Sequence, residues 1–341
     1  MTRFATLPAA ERRLLVEQVA ARQGVVPVIV EKDFWVCWSL GRIFATDAMA
    51  PHVVFKGGTS LSKVFGVIHR FSEDIDLSAA PESLGVAQAE LDEAPSASQR
   101  AKRMQALAAR CEACVRDQFQ PALEAEIAAV LGPAIHGARW LAFEIDTIAG
   151  TPNLWFAYPS ALPQAGGYVA KRVKLEFGAL TRQQPTSEYS ISPMLATTLG
   201  ATYDDFDSPV VALELARTFW EKATILHAEY YRPPDKPLRY RFARHYADFG
   251  ALWRHASRAQ CLARPDLLDD VVRHKSRFFA SAWANYDTAR LGSFRLAPPE
   301  HRHAALAQDY AAMQPMFLSK PPSFEELLAQ LTQAEEALNK P

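Results

Sequence analysis

The chain has 341 residues and a formal net charge of −1. That length holds one large or two medium domains, and the near-neutral balance excludes a polycation that binds nucleic acid by overall charge alone. With 49% hydrophobic residues the chain can build a packed core, which excludes wholesale disorder, and no uninterrupted apolar stretch approaches the ~20 residues that span a bilayer. The first residues, MTRFATLPAAERRLL, mix charges where a signal peptide needs an apolar block. A soluble, cytoplasmic protein is expected.

In chain order, residues 7–24 carry apolar side chains at helical spacings, and Pro27 is expected to break that helix. A second helix, VIVEKDFWVCWSLGRIF, is apolar on most sides and should be buried. His52–Phe55 reads as a short strand, Ser60–Phe65 as a helix and Ile75–Ser78 as a second strand. Ala79–Gln99, rich in Ala, Pro, Ser and Glu, reads as an exposed connection. Gln99–Leu131 reads as helical with Pro121 as a kink or break. It holds the lone CxxC of Cys111 and Cys114, which lacks the further ligands that structural zinc needs. Trp140–Ile148 and Asn153–Tyr158 read as strands. Tyr168–Leu180 alternates between faces, with Ala170, Arg172, Lys174, Glu176 and Gly178 on one side. Pro185–Pro209 reads mostly as loop. From Ala212 the pattern is helical to the end, with breaks at Pro233-Pro234, Pro298-Pro299 and Pro321-Pro322. An α+β half, residues 1–205, followed by a helical half, residues 206–341, is the expected division.

The stretch VVFKGGTSLSKVFGVIHRFSEDIDL, from Val53 to Leu77, carries the strongest chemical signal. Gly57 and Gly58 follow a short apolar run, and such glycines let backbone N–H groups approach a phosphate closely. Asp74 and Asp76, two apart on a strand, share one face. Side by side they repel unless a cation sits between them, and oxygen-only ligands suit Mg²⁺. Lys56, Lys63 and Arg70 flank the motif. Lys63 is placed either to reach a phosphate or to face solvent.

This segment resembles the GG-then-DxD signature of the DNA polymerase β-like nucleotidyltransferases. The strings FKGGTSLSK and RFSEDIDL resemble, within that superfamily, the AbiEii/AbiGii toxin family. Fifteen residues separate Gly58 from Asp74, more than in the most compact members, and fit this family's version. The resemblance implies a polymerase β-like core, a small mixed sheet with helices, followed by a helical C-terminal region. It implies transfer of a nucleoside monophosphate from an NTP, with Mg²⁺ or Mn²⁺ as cofactor. It implies Asp74 and Asp76 as metal ligands and Gly57, Gly58, Thr59, Ser60 and Lys63 as nucleotide-binding residues.

By the same resemblance a third carboxylate comes from a neighbouring strand, and Glu176 in KLEFG matches it. The bland alternative is a Lys174–Glu176 surface pair. Glu144 and Asp146, an i, i+2 acidic pair in LAFEID, compete for the same role. Lys222, in LELARTFWEKATILH, matches the family's later lysine and would neutralise charge on the triphosphate; Glu221 is the alternative there. Asp248, in RHYADFGAL, matches the closing motif. It either pairs with Arg244 at i, i+4 or orients Lys222 or Arg244.

From Lys236 to Arg277 ten Lys/Arg stand against four acids, with aromatic and His side chains among them. Such a segment either binds RNA phosphates or is a solvated helical surface. The triplet His301-Arg302-His303 has no partners at metal spacing, and no P-loop or nucleophile elbow occurs. The family resemblance implies as partners an RNA acceptor, the tRNA 3′ end, and a cognate antitoxin; no membrane partner is expected. The rivals are nucleotidylation of a protein hydroxyl and a non-catalytic NTP-binding regulator.

Overall fold

The computed structural model describes residues 1–134, 139–163 and 170–340. The elements in chain order are α1 (Thr2–Ala5), α2 (Ala9–Gln23), α3 (Pro27–Ala45), β1 (Val53–Lys56), α4 (Gly57–Lys63), β2 (Asp74–Ala79), α5 (Gln88–Asp92), α6 (Ala97–Cys114) and α7 (Gln120–Leu131). Strands β3 (Leu141–Ile145), β4 (Pro152–Phe156), β5 (Val173–Gly178) and β6 (Thr186–Ile191) follow, then α8 (Ala196–Leu199) and β7 (Ser208–Leu213). The rest is α9 (Leu215–Tyr230), α10 (Ala243–Arg254), α11 (Arg258–Leu262), α12 (Pro265–Phe278), α13 (His303–Ala312) and α14 (Phe324–Asn339).

The chain forms two compact units, Met1–Val64 with Phe71–Ala212, and Phe65–Arg70 with Leu213–Pro341. The first is α+β, and its described strands form one sheet in the order β3-β4-β5-β2-β1-β7-β6. The sheet is mixed: β2 runs parallel to β5 and β1 parallel to β7, while β1–β2, β3–β4 and β4–β5 are antiparallel. Alternation along β5 sorts the side chains. Val173, Leu175 and Phe177 are fully buried, whereas Lys174 and Glu176 are not. On the apolar side Trp38 of α3 stacks on Phe156 of β4 at 5.6 Å between rings, and Phe119 lies 5.7 Å from Phe177. Each such side chain buried against the sheet contributes roughly 1.5–3 kcal/mol.

Several elements differ from the sequence-based expectation. Pro27 opens α3 at its first turn, where the missing N–H costs nothing, rather than ending α2, which closes on the left-handed Gly24. Helix α4 begins at Gly57, not Ser60. The stretch 79–99 is not an exposed connection: Leu84, Val86, Leu91 and Ala94 are buried and α5 lies within it. Its Ala/Ser/Glu composition hides these irregularly spaced anchors. The long helix passes Pro121 without breaking, because a single π-turn, Val115–Phe119, precedes α7. The region 185–209 supplies β6 and the start of β7. In β6 only Ile191 is buried, so the alternation that announces a strand is weak. Tyr168 and Val169, expected at the start of β5, lie outside the described residues.

The second unit is helical. Its core gathers Phe219, Trp220, Phe249, Leu252, Phe294 and Leu331, all almost completely buried. Helix α14 carries a full capping box between Ser323 and Glu326. No helix among the described residues is long and apolar enough to cross a membrane.

Candidate active site

Strand β1 ends at Lys56 and the chain turns directly into α4 through Gly57, whose φ of +82° is left-handed. The turn is tight against β2. A Cβ at Gly57 would fall inside the Asp76 carboxylate, 2.7 Å from its Cγ. Thr59 and Ser60 are fully buried and brace this corner. The Thr59 hydroxyl bonds to Ser72 Oγ at 2.9 Å and donates to the Asp74 carbonyl, and Ser60 Oγ donates to the Gly57 carbonyl at 2.9 Å. Lys63, one turn on, is ion-paired with Asp33 of α3 in a largely buried position. Burial opposes its charge, but Asp33 and Cys37 outweigh that and hold its pKa up.

The register of β2 sets the carboxylates. Asp76 lies opposite Lys56 on one side and Glu176 on the other, and Asp74 lies opposite Lys174. Paired residues share a face, so Lys56, Asp74, Asp76, Lys174 and Glu176 all project from the same side of the sheet. Burial first, then Asp76 and Glu73, raises the Asp74 carboxyl from 3.8 to about 6, against the pull of Lys174 and Lys32. Lys174 donates to Glu176 Oε2 at 2.8 Å and to Asp146 Oδ2 at 3.1 Å. Thus the Lys174–Glu176 pair forms, and Glu176 also neighbours Asp76.

Glu144 stands away from this row, and Asp146 touches it through Lys174. Glu144 is on β3, three strands from β2, and accepts a hydrogen bond from Trp155 Nε1 at 2.7 Å. Asp146 caps the turn after β3, accepting from Ile148 N and Ala149 N at 2.9 Å each. These backbone bonds, with Lys174, bring its carboxyl down to about 2.

The residues on this face fit a divalent cation. Two adjacent carboxylates, one with a raised pKa, call for positive charge, and every candidate donor is oxygen. Asn153, opposite Glu176 on β4 and 2% exposed, has an Oδ1 with no hydrogen-bond partner, an acceptor short of a donor. Among the described residues no three His, Cys, Asp or Glu side chains already form a metal-binding group.

A profile of the family described as nucleotidyl transferase AbiEii toxin, type IV toxin–antitoxin system, matches residues 38–330. The chain belongs to this family. It is therefore a nucleotidyltransferase toxin of a type IV toxin–antitoxin system, and the family implies a cognate antitoxin. Among solved structures it is similar to MenT4, the nucleotidyltransferase toxin Rv2826c from Mycobacterium tuberculosis H37Rv, with 14% identity over 96% of this chain and 99% of that one, at a TM-score of 0.35. No curated protein gives a match.

In this AbiEii toxin the second unit gathers its own charges. Asp248 of α10 is fully buried and accepts Arg70 Nε at 2.8 Å, Arg70 Nη2 at 2.9 Å and Lys222 Nζ at 2.8 Å. Burial opposes the Asp248 charge, but Arg70 and Lys222 hold its carboxyl far below the usual range. Burial lowers the Lys222 pKa, which Asp248 offsets only in part. The His245 imidazole, lowered well below its ordinary value by burial, Lys222 and Arg244, is neutral, with Nδ1 3.2 Å from Lys222 Nζ.

Arg244 is exposed and Asp248 takes Arg70 instead, 178 residues away in sequence. Sequence reading saw Arg70 only as a flank of the first motif; the HRFSEDIDL string was the available signal. Glu221 pairs with Arg217 at 3.2 Å. In the basic segment, Arg239 is tied to Glu229 at 3.0 Å and Arg264 to Asp266 at 2.7 Å. Lys275 donates to the Glu221 carbonyl and to Thr224 Oγ1, 2.8 Å each. Lys236, Arg244, Arg254, Arg258, Arg273 and Arg277 are exposed. Cys111 and Cys114 are buried free thiols, and burial pushes Cys111 up to about 12.

Proposed function

We propose that this toxin transfers a nucleoside monophosphate from an NTP to an RNA hydroxyl, with the tRNA 3′ end as acceptor and Mg²⁺ as cofactor. The observation that carries the reading is the row Lys56–Asp76–Glu176, with Asp74 on the same face, beside the glycine turn. Asp74, Asp76 and Glu176 are the proposed metal ligands. The metal would neutralise the triphosphate and favour the ionised acceptor hydroxyl.

The chain's own residues do the rest. Gly57 and Gly58 offer backbone N–H groups to the β- and γ-phosphates, while Thr59 and Ser60 hold that turn in shape. Lys63, through Asp33, fixes α4 rather than contacting substrate. Lys222 keeps the role its motif assigns, neutralising charge on the triphosphate, with Asp248 fixing its ammonium. The exposed arginines of α10 to α12 support an RNA acceptor, which a chain of charge −1 must hold by a local patch.

The test incubates the pure protein with Mg²⁺, each labelled NTP and either total tRNA or lysate protein. Label on the tRNA 3′ end is expected. Label on protein alone overturns the RNA acceptor, and NTP binding without transfer makes the chain a regulator.

A further inference from the structure

The cation paired with Glu176 has no part in the reaction proposed above. Lys174 lies opposite Asp74 in the β2–β5 register and two residues from Glu176 on the same face. Its side chain is 14% exposed, and its ammonium bridges Glu176 Oε2 at 2.8 Å and Asp146 Oδ2 at 3.1 Å. The two acceptors differ in how they are held. Asp146 is locked by the N–H groups of Ile148 and Ala149, so its carboxylate stays in place whatever Lys174 does. Glu176 sits between Asp76 and Asn153 across the strands. Its carboxylate is bonded to Lys174, a partner that can let go, since an ammonium has three protons and a second acceptor at hand.

We propose that Lys174 is a resident counter-cation and positioning residue: it competes with the divalent metal for Glu176 and retires to Asp146 when the metal binds. The inference rests on Asp74, Asp76 and Glu176 being the metal ligands. It gives Asp146 a part in the site that is not ligation. It also explains how three carboxylates are kept together in the metal-free chain. Lys174 supplies one positive charge beside Asp74 and Glu176. The consequence is a metal affinity set below what the three acids alone would give.

The experiment is a Mn²⁺ titration of the full chain without nucleotide, followed by electron paramagnetic resonance. Wild type should bind Mn²⁺ and Asp76→Asn should lose it. If wild type does not bind, or Asp76→Asn binds as well, the metal-site reading falls and this inference with it. Given that control, Lys174→Met should bind about tenfold tighter, the order expected when a charge-assisted hydrogen bond to Glu176 no longer has to be broken. Asp146→Asn should bind several-fold weaker, because Lys174 then has Glu176 alone. The deciding comparison is in a Glu176→Gln background, where the gain from Lys174→Met should fall below about twofold. Lys174→Gln repeats the series should the methionine variant fold poorly. Unchanged affinity in Lys174→Met and Lys174→Gln overturns the inference. So does a gain that survives intact in Glu176→Gln, which would make Lys174 a plain background charge.

Discussion

At Gly57 a backbone turn and a carboxylate claim the same space. The residue combines φ +82° with a Cβ position that Asp76 already fills. Gly57→Ala should therefore remove transfer activity and lower stability by about 1–3 kcal/mol. Gly66→Ala is the control: its φ is +61° but nothing lies within 4 Å of the added carbon, so thermal unfolding should show strain alone, and the smaller loss. Asp74 gives a pH-dependent prediction. Its folded pKa, about 6, lies above its ordinary 3.8. A group shifted that way favours the fold fully below pH ~4 and loses that contribution as pH rises through about 6. In the metal-free protein near pH 7 the ionised carboxylate thus costs up to about 3 kcal/mol. Asp74→Asn should raise the metal-free Tm by a few degrees at pH 7.5, and the advantage should shrink toward pH 5. An equal gain at both pH values would reject the assignment, as would retained transfer activity in the variant.

Strand register bears, at the next scale, on what spacing alone left open. In the sequence Glu176 matches the family's third carboxylate, with Glu144 and Asp146 as competitors that spacing does not exclude. The order β3-β4-β5-β2 puts Glu176 on the strand beside β2 and Glu144 three strands away, while Asp146, past the end of β3, reaches Glu176 only through Lys174. Glu176→Gln should cut the transfer rate by orders of magnitude, whereas Glu144→Gln should stay near wild type, measured as initial rates on tRNA at saturating NTP. The reverse pattern would move the third ligand. The glycine pair, the DxD strand and the alternation of β5 were legible because each is a local pattern. What was not legible depends on partners far along the chain. Arg244 is the partner that i, i+4 spacing offers Asp248, and no local spacing links Asp248 to Arg70, 178 residues away. Likewise Lys63 looks available until α3 brings Asp33 to it. Strand β6 and the buried anchors of 79–99 escaped because one apolar side chain per turn or strand leaves no period to detect.

On the scale of the molecule, the near-zero net charge and the exposed cations of α10 to α12 pull in opposite directions for an RNA ligand. A local patch must carry the binding, so its loss should be visible in salt dependence. Arg254→Gln with Arg258→Gln should weaken tRNA binding and reduce its log–log salt slope by ~0.9 per lost duplex phosphate contact, while NTP affinity stays unchanged. An unchanged slope in a salt titration would place the RNA surface elsewhere. The make-up of the second unit has a different implication. It is not one contiguous length of polypeptide, because FGVIHR, residues 65–70, belongs to it and Leu213 onward supplies the rest. Arg70 provides two of the three hydrogen bonds to the buried Asp248. Leu213 onward produced on its own would leave that aspartate without its arginine, and breaking a buried pair costs about 3–5 kcal/mol. The C-terminal half of this chain is therefore complete only with a hexapeptide encoded some 140 codons upstream, so an expression boundary drawn at Leu213 cuts through a folding unit rather than between two.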